Sequence, residues 1–196
     1  MVYGIGTGSK NYSYYSGRGA NRNVKMPTLP GMRTRGQCKL SEKELLSKIR
    51  ELAHKDAAEG TDSQHAESFQ GVRYGSAEWQ KLRDDYVSFA SPDRVGIIKN
   101  TLSGFAGKIQ SMTLTGKNSD VGFFDIIFNN CKKFGPDVGG NFVIFRDEQG
   151  NEIARYSEPN GWSFRYTPAE DARLDEFNAL WKQALTDAQT ELKQGV

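Results

Sequence analysis

Residues 167–194, TPAEDARLDEFNALWKQALTDAQTELKQ, restrict the fold more than any other stretch. Leu174, Phe177, Trp181, Ala184, Leu185, Ala188 and Leu192 recur at helical spacing and form one long apolar stripe. Thr167 supplies an N-cap, Pro168 suits the first helical position, and Glu170 completes a capping box. Glu170, Asp171, Asp175 and Glu176 load the first turns with acid, which suits the positive end of a helix. An exposed stripe of this length needs a layer to cover it, and the residues just before it offer one.

That layer is read from NFVIFRDEQGNEIARYS. Phe142, Ile144 and Arg146 alternate with Val143, Phe145 and Asp147, the period of a strand. Glu148-Gln149-Gly150-Asn151 is a turn, Ile153 and Tyr156 lie on the return strand, and a second turn at SEPNGW leads into WSFRYT. The expectation is an α+β fold: helices plus a small antiparallel meander, its inner face covered by the long C-terminal helix around one core.

Upstream, Ser41 and Glu44 form a capping box ahead of the stripe Leu45, Leu46, Ile49, Leu52 and Ala53, with Gly60 as the stop. Residues 60–75 read as a loop. A second helix starts near Ser76, with Trp79, Leu82, Tyr86 and Phe89 or Ala90 on one face. Ser91-Pro92-Asp93 ends it and opens a third, with Pro92 at the first helical position and Ile97, Ile98, Leu102 and Phe105 inward. KIQSMTLT, residues 108–115, reads as a strand. SDVGFFDIIFNNCKKFGP fits a helix ending at Gly135-Pro136 through Phe124, Ile127, Phe128, Cys131 and Phe134. GFFDIIF also fits a buried strand, and the helical phase is preferred.

The first 40 residues differ from the rest. They hold seven Lys or Arg, no Asp or Glu, and four of the eight tyrosines. The remainder carries 19 basic and 24 acidic residues. Without periodicity, residues 1–40 read as a flexible basic leader, docking locally at most through Val24, Met26 and Leu29, and residues 41–196 as a single α+β domain. The charge sign of the body disfavours nucleic-acid binding across it. No apolar run reaches the ~20 residues of a membrane span, so no membrane insertion is expected. No apolar signal core opens the chain, so a cytoplasmic location is expected, with export outside the Sec route as the alternative.

Candidate chemistry is sparse. GIGTGSK, at residues 4–10, lacks the preceding strand a phosphate loop needs. Tyr12, Tyr14, Tyr15, Arg18 and Arg22 have the composition of a single-strand nucleic-acid contact, stacking plus phosphate pairing. His54 lies opposite the first helix's apolar stripe and His65 in a polar loop. Cys38 falls in the leader and Cys131 among aromatics, where an inert buried thiol is expected. Asp147, Glu148, Glu152 and Glu158 surround the β turns and read as turn and edge residues. Trp162, directly after a tight turn, either packs on the core beside Trp181 or serves as a contact anchor, and core packing is preferred. No metal-ligand spacing or cofactor loop is present, so no cofactor is expected.

Within residues 150–185, the string GNEIARYSEPNGWSFRYTPAEDARLDEFNALWKQA resembles uncharacterised proteins of Gram-positive bacteria, through G-N-x-I-A-x-Y, then G-W, then T-x-A-E-x-A-R. Those proteins often carry a Ser/Asn/Tyr-rich leader. The resemblance implies a bacterial origin and a recurrent meander–helix unit, and brings no activity or site residue. The leading functional expectation is a non-enzymatic protein-binding or structural module. The alternatives are nucleic-acid association through the Tyr/Arg arm, and a hydrolase whose residues are scattered, with Cys131 or the meander carboxylates in reserve.

Overall fold

The structure, a computed structural model, describes residues 32–112 and 122–194. The architecture is α+β, with five α-helices and two small antiparallel sheets among the described residues. The chain divides into two compact units. Residues 93–165, with Met32, make one; residues 33–92 and 166–194 make the other. The sequence reading expected one core, whereas the described residues hold two apolar clusters, one in each unit.

The split unit is built on three helices: α1 (Glu42–Glu59), α2 (Ala77–Ser88) and α5 (Pro168–Gln194). The expected caps are present. Ser41 and Glu44 form a capping box, Gly60 ends α1 in the left-handed region at φ 68°, and Ser76 caps α2. Thr167 and Glu170 cap each other at the start of α5. Leu45, Ile49, Leu52, Trp79, Leu82, Tyr86, Phe177 and Trp181 fill the core. Trp79 meets Phe177 and Trp181 edge-on, with ring centroids 5.3 and 6.4 Å apart. From Phe177 to Leu185 the stripe of α5 is thus covered by α1 and α2, whereas Leu192 at its far end is 44% exposed.

Polar groups pin the same helices. Arg173 of α5 lies 3.7 Å over the Tyr86 ring and pairs with Glu42 of α1 and with Glu176. Glu170 is fully buried and accepts from Ser91 Oγ at 2.6 Å. Of the expected leader, residues 32–40 are described, and part of them is held by the helices. Arg33, buried, pairs with Asp84 at 2.6 Å, and Leu40 packs on the core.

The other unit contains α3 (Arg94–Ser111), α4 (Phe123–Asn129), a 3-10 turn at Cys131–Lys133, and a meander of β3 (Phe142–Arg146), β4 (Glu152–Ser157) and β5 (Gly161–Phe164). Its core joins Ile98 and Phe105 of α3, Ile127 and Phe128 of α4, Phe134, and Val143, Phe145, Ile153 and Ala154 of the sheet. The cover of the meander's inner face therefore includes α3 and α4. Arg94, 1% exposed, donates to the carbonyls of Ile153 at 3.1 Å and Arg165 at 2.6 Å.

Four local expectations change. Residues 108–111 continue α3 instead of forming a strand, because Ile109 extends the spacing of Ile98, Leu102 and Phe105 onto the same core; residues 113–115 lie outside the described residues. Asp93, not Ser91, caps α3, so Pro92 precedes the cap and does not take the first helical position. Residues 60–75 are not all loop. They contain β1 (Glu67–Phe69) and β2 (Val72–Tyr74), paired antiparallel. Residues 123–129 are helix, the preferred of the two readings, but the helix ends at Asn129 instead of reaching Gly135-Pro136, and Cys131–Lys133 form a separate 3-10 turn. Among the described residues no helix is long and apolar enough to cross a membrane.

Candidate contact hairpin

β1 and β2 are joined by Gln70 and Gly71, both at positive φ, 51° and 80°. Two successive left-handed residues make the type I′ turn whose twist matches paired strands. The register places Phe69 opposite Val72, Ser68 opposite Arg73 and Glu67 opposite Tyr74. Opposed residues share a face and neighbours alternate. One face of the ribbon therefore carries Phe69, Val72, Tyr74 and Glu67, and the other carries Ser68 and Arg73.

The apolar face is open. Phe69 is 62% exposed, Val72 64% and Tyr74 37%. Apolar side chains paired across an exposed ribbon gain little from their own fold, and a lone two-stranded hairpin is marginal in water. This ribbon is held at its feet. Asp56 of α1 accepts from the Ser63 amide, from Ser63 Oγ at 3.0 Å and from Thr61 Oγ1 at 3.2 Å. Asp62 accepts from the Gln64 amide at 2.9 Å, His65 Nδ1 at 2.8 Å and Trp181 Nε1 at 3.3 Å. Burial alone would raise the Asp62 carboxyl, and the hydrogen bonds from His65, Gln64 and Trp181 outweigh it and hold the group below its ordinary value. At the returning foot, the Ser76 amide donates to Ser63 O at 2.7 Å and Gln80 Nε2 to Gly75 O at 2.5 Å. Gly75 is needed there, because a Cβ would run into the Trp79 ring. The result is an apolar tip on a base fixed to the helical core.

Of the residues singled out from sequence, some are described and some are not. Tyr12, Tyr14, Tyr15, Arg18, Arg22 and the GIGTGSK segment lie outside the described residues, as do Val24, Met26 and Leu29. Trp162 is half-buried and packs on its core beside Phe145 at 5.3 Å and Tyr156 at 5.4 Å; Trp181 belongs to the other cluster. Cys131 is half-buried against the same core as Trp162, less enclosed than expected, and Cys38 is half-buried with Sγ 3.7 Å from Leu40 O. His54 is exposed, 3.6 Å from Glu191, and His65 serves the hairpin base. Asp147 holds its turn through the amides of Gln149 and Asn151, Glu152 pairs with Arg155 and Arg165, and Glu158 is exposed. Among the described residues no His, Cys, Asp and Glu cluster is arranged to hold a metal.

A concave region of about 540 Å³ is lined by Gln37, Gln80, Lys81, Asp84 and Asp85. Its charges are already paired: Lys81 with Asp85 at 2.6 Å within the lining, and Asp84 with Arg33 and Arg83 beside it at 2.6 and 2.9 Å. Sequence reasoning missed the hairpin because ESFQGVRY lacks the Asn-Gly or Asp-Gly signature and its strands are three residues long. The alternation of Phe69, Val72 and Tyr74 around Gln70-Gly71 was the available signal. No family model, no curated protein and no solved structure matches this chain.

Proposed function

We propose that this chain is a non-enzymatic protein-binding module whose contact element is the hairpin 67–74. The observation that carries the reading is the open apolar face of Phe69, Val72 and Tyr74 on a clamped base. Preorganised aromatic and aliphatic anchors lose little conformational entropy on association, which suits a contact site. The charge around the ribbon favours protein over polyanion. Within residues 59–75, Glu59, Asp62 and Glu67 oppose one Arg, Arg73.

The test places a photo-crosslinking phenylalanine analogue at Phe69 in the full chain, with Phe89, 43% exposed, as the control position. A discrete adduct at position 69, weaker at position 89, should be lost on adding excess unlabelled protein and in Val72→Ser. Phe69→Ser with Val72→Ser should leave the urea midpoint within about 0.5 kcal/mol of the parent, since both side chains are exposed. Equal labelling at both positions, or labelling indifferent to Val72→Ser, would remove the hairpin from contention.

A further inference from the structure

The meander has two edges and they are not alike. Along β3, residues 137–139 fold back: Ile144 N donates to Asp137 O at 2.8 Å, Gly139 N donates to Phe142 O at 2.9 Å, and Val138 bridges Val143. That edge is covered. Along β5, Arg165 N donates to Ile153 O at 3.3 Å, and the register pairs Ser163 with Arg155 and Gly161 with Ser157. Antiparallel strands alternate inward and outward backbone groups. Gly161, Ser163 and Arg165 therefore face β4, while Trp162 and Phe164 turn N–H and C=O outward, with no partner among the described residues. β5 has no Pro, no charge and no bulge, the usual guards of an edge; its one guard is a length of four residues.

The side chains of the same two residues continue the pattern. The rings of Trp162 and Phe164 are 6° from parallel with centroids 6.4 Å apart. That spacing is close to the ~6.8 Å between same-side residues of a strand. Both rings are half-buried at the border of the core. On the opposite face, Arg155 and Arg165 share one carboxylate, Glu152, each at 3.0 Å. Two cations on one anion leave that face with an excess positive charge.

We propose that β5 accepts an extended peptide segment of a partner protein, added antiparallel as a fourth strand. Its apolar side chains sit beside Trp162 and Phe164, and an acidic side chain on its other face meets Arg155 and Arg165. Main-chain pairing supplies affinity and the alternating faces supply selection. Antiparallel addition continues the order of the sheet. This surface is independent of the hairpin 67–74, and its test does not involve that element.

The probe is a capped peptide of alternating valine and threonine with one glutamate at a threonine position, added to the full chain and followed by amide NMR. Without peptide, the Trp162 and Phe164 amides should exchange faster than those of Ser163 and Arg165. With peptide, the Trp162 and Phe164 amides should shift and become protected. In antiparallel pairing the residues beside Trp162 and Phe164 are the ones that hydrogen-bond to β5. N-methylation of the valines should therefore weaken binding by at least about tenfold, the loss of two hydrogen bonds. N-methylation of the threonines should leave it unchanged, and glutamate to lysine should weaken it by about threefold, as an exposed ion pair allows. No shift at about 1 mM peptide, a Kd too weak for a specific site, overturns the proposal. So does loss of binding on threonine methylation instead of valine methylation.

Discussion

Trp181 is fully buried, meets Trp79 edge-on, and reaches the hairpin base through the bond from Nε1 to Asp62. Trp181→Ala should cost ~3–5 kcal/mol, read from urea unfolding; a loss below about 1 kcal/mol would place the residue outside the core. The burial of Trp181 was legible from the helical stripe. Its partner was not, because Asp62 is 119 residues away in sequence. Tyr86 gives a pH signature. Burial first, and then its hydrogen bond to Glu176, raise the phenol from its ordinary value to about 12. A folded value above the unfolded one means that the contribution is complete below pH about 10 and is lost as pH rises toward about 12, roughly 2–3 kcal/mol in all. Urea midpoints at pH 9 and about 11.5 should show this loss in the parent and a smaller one in Tyr86→Phe. Parallel losses in the two proteins would show that Tyr86 ionises as readily in the folded state as in the unfolded.

At the scale of elements, α3 shows how packing overrides propensity. Gly96, Gly104 and Gly107 weaken its helical reading, yet Ile98, Leu102, Phe105 and Ile109 keep one side on the core and carry the helix to Ser111. A Cβ at Gly104 or Gly107 would meet nothing within 4 Å. Gly104→Ala and Gly107→Ala should each stabilise by about 0.5–1 kcal/mol in urea titrations. Gly96→Ala should do the opposite, because its Cβ would strike the Asp93 carboxylate that caps the helix; loss of such a cap costs about 0.5–2 kcal/mol. The hairpin offers a reverse case. Gln70 holds φ 51° without being glycine, so Gln70→Gly should relieve local strain and slow amide exchange across residues 67–74. Faster exchange would mean that the Gln70 side chain supports the turn.

For the whole molecule, two apolar clusters in two compact units make exchange patterns diagnostic. Phe145→Ala, removing a ring 1% exposed, should raise amide exchange in residues 93–165 more than elsewhere. Trp181→Ala should do so in residues 33–92 and 166–194. Equal loss of protection in both units from either substitution would show a single cooperative unfolding unit. The expected α+β class, the meander and the long C-terminal helix are present. Adjacency in sequence suggests one core for α5 and the meander, and adjacency says little once a chain leaves one cluster and returns to it after 73 intervening residues, as this one does between Pro92 and Tyr166.

Local physics was enough for some features. The caps at Ser41, Ser76 and Thr167, the stop at Gly60, the stripe through Phe177 and Trp181 and the alternation of β3 each depend on residues within one or two turns of one another. A capping bond or an apolar period is formed by near neighbours, so the sequence by itself determines it. The tertiary structure alone decided which surfaces meet. It joined Asp62 to Trp181 and Arg94 to the carbonyls of Ile153 and Arg165. It also left Phe69 and Val72 in water and the outer edge of β5 unpaired among the described residues. Burial and edge exposure are properties of the packed whole: a Phe or a strand reads the same in sequence whether another layer covers it or not.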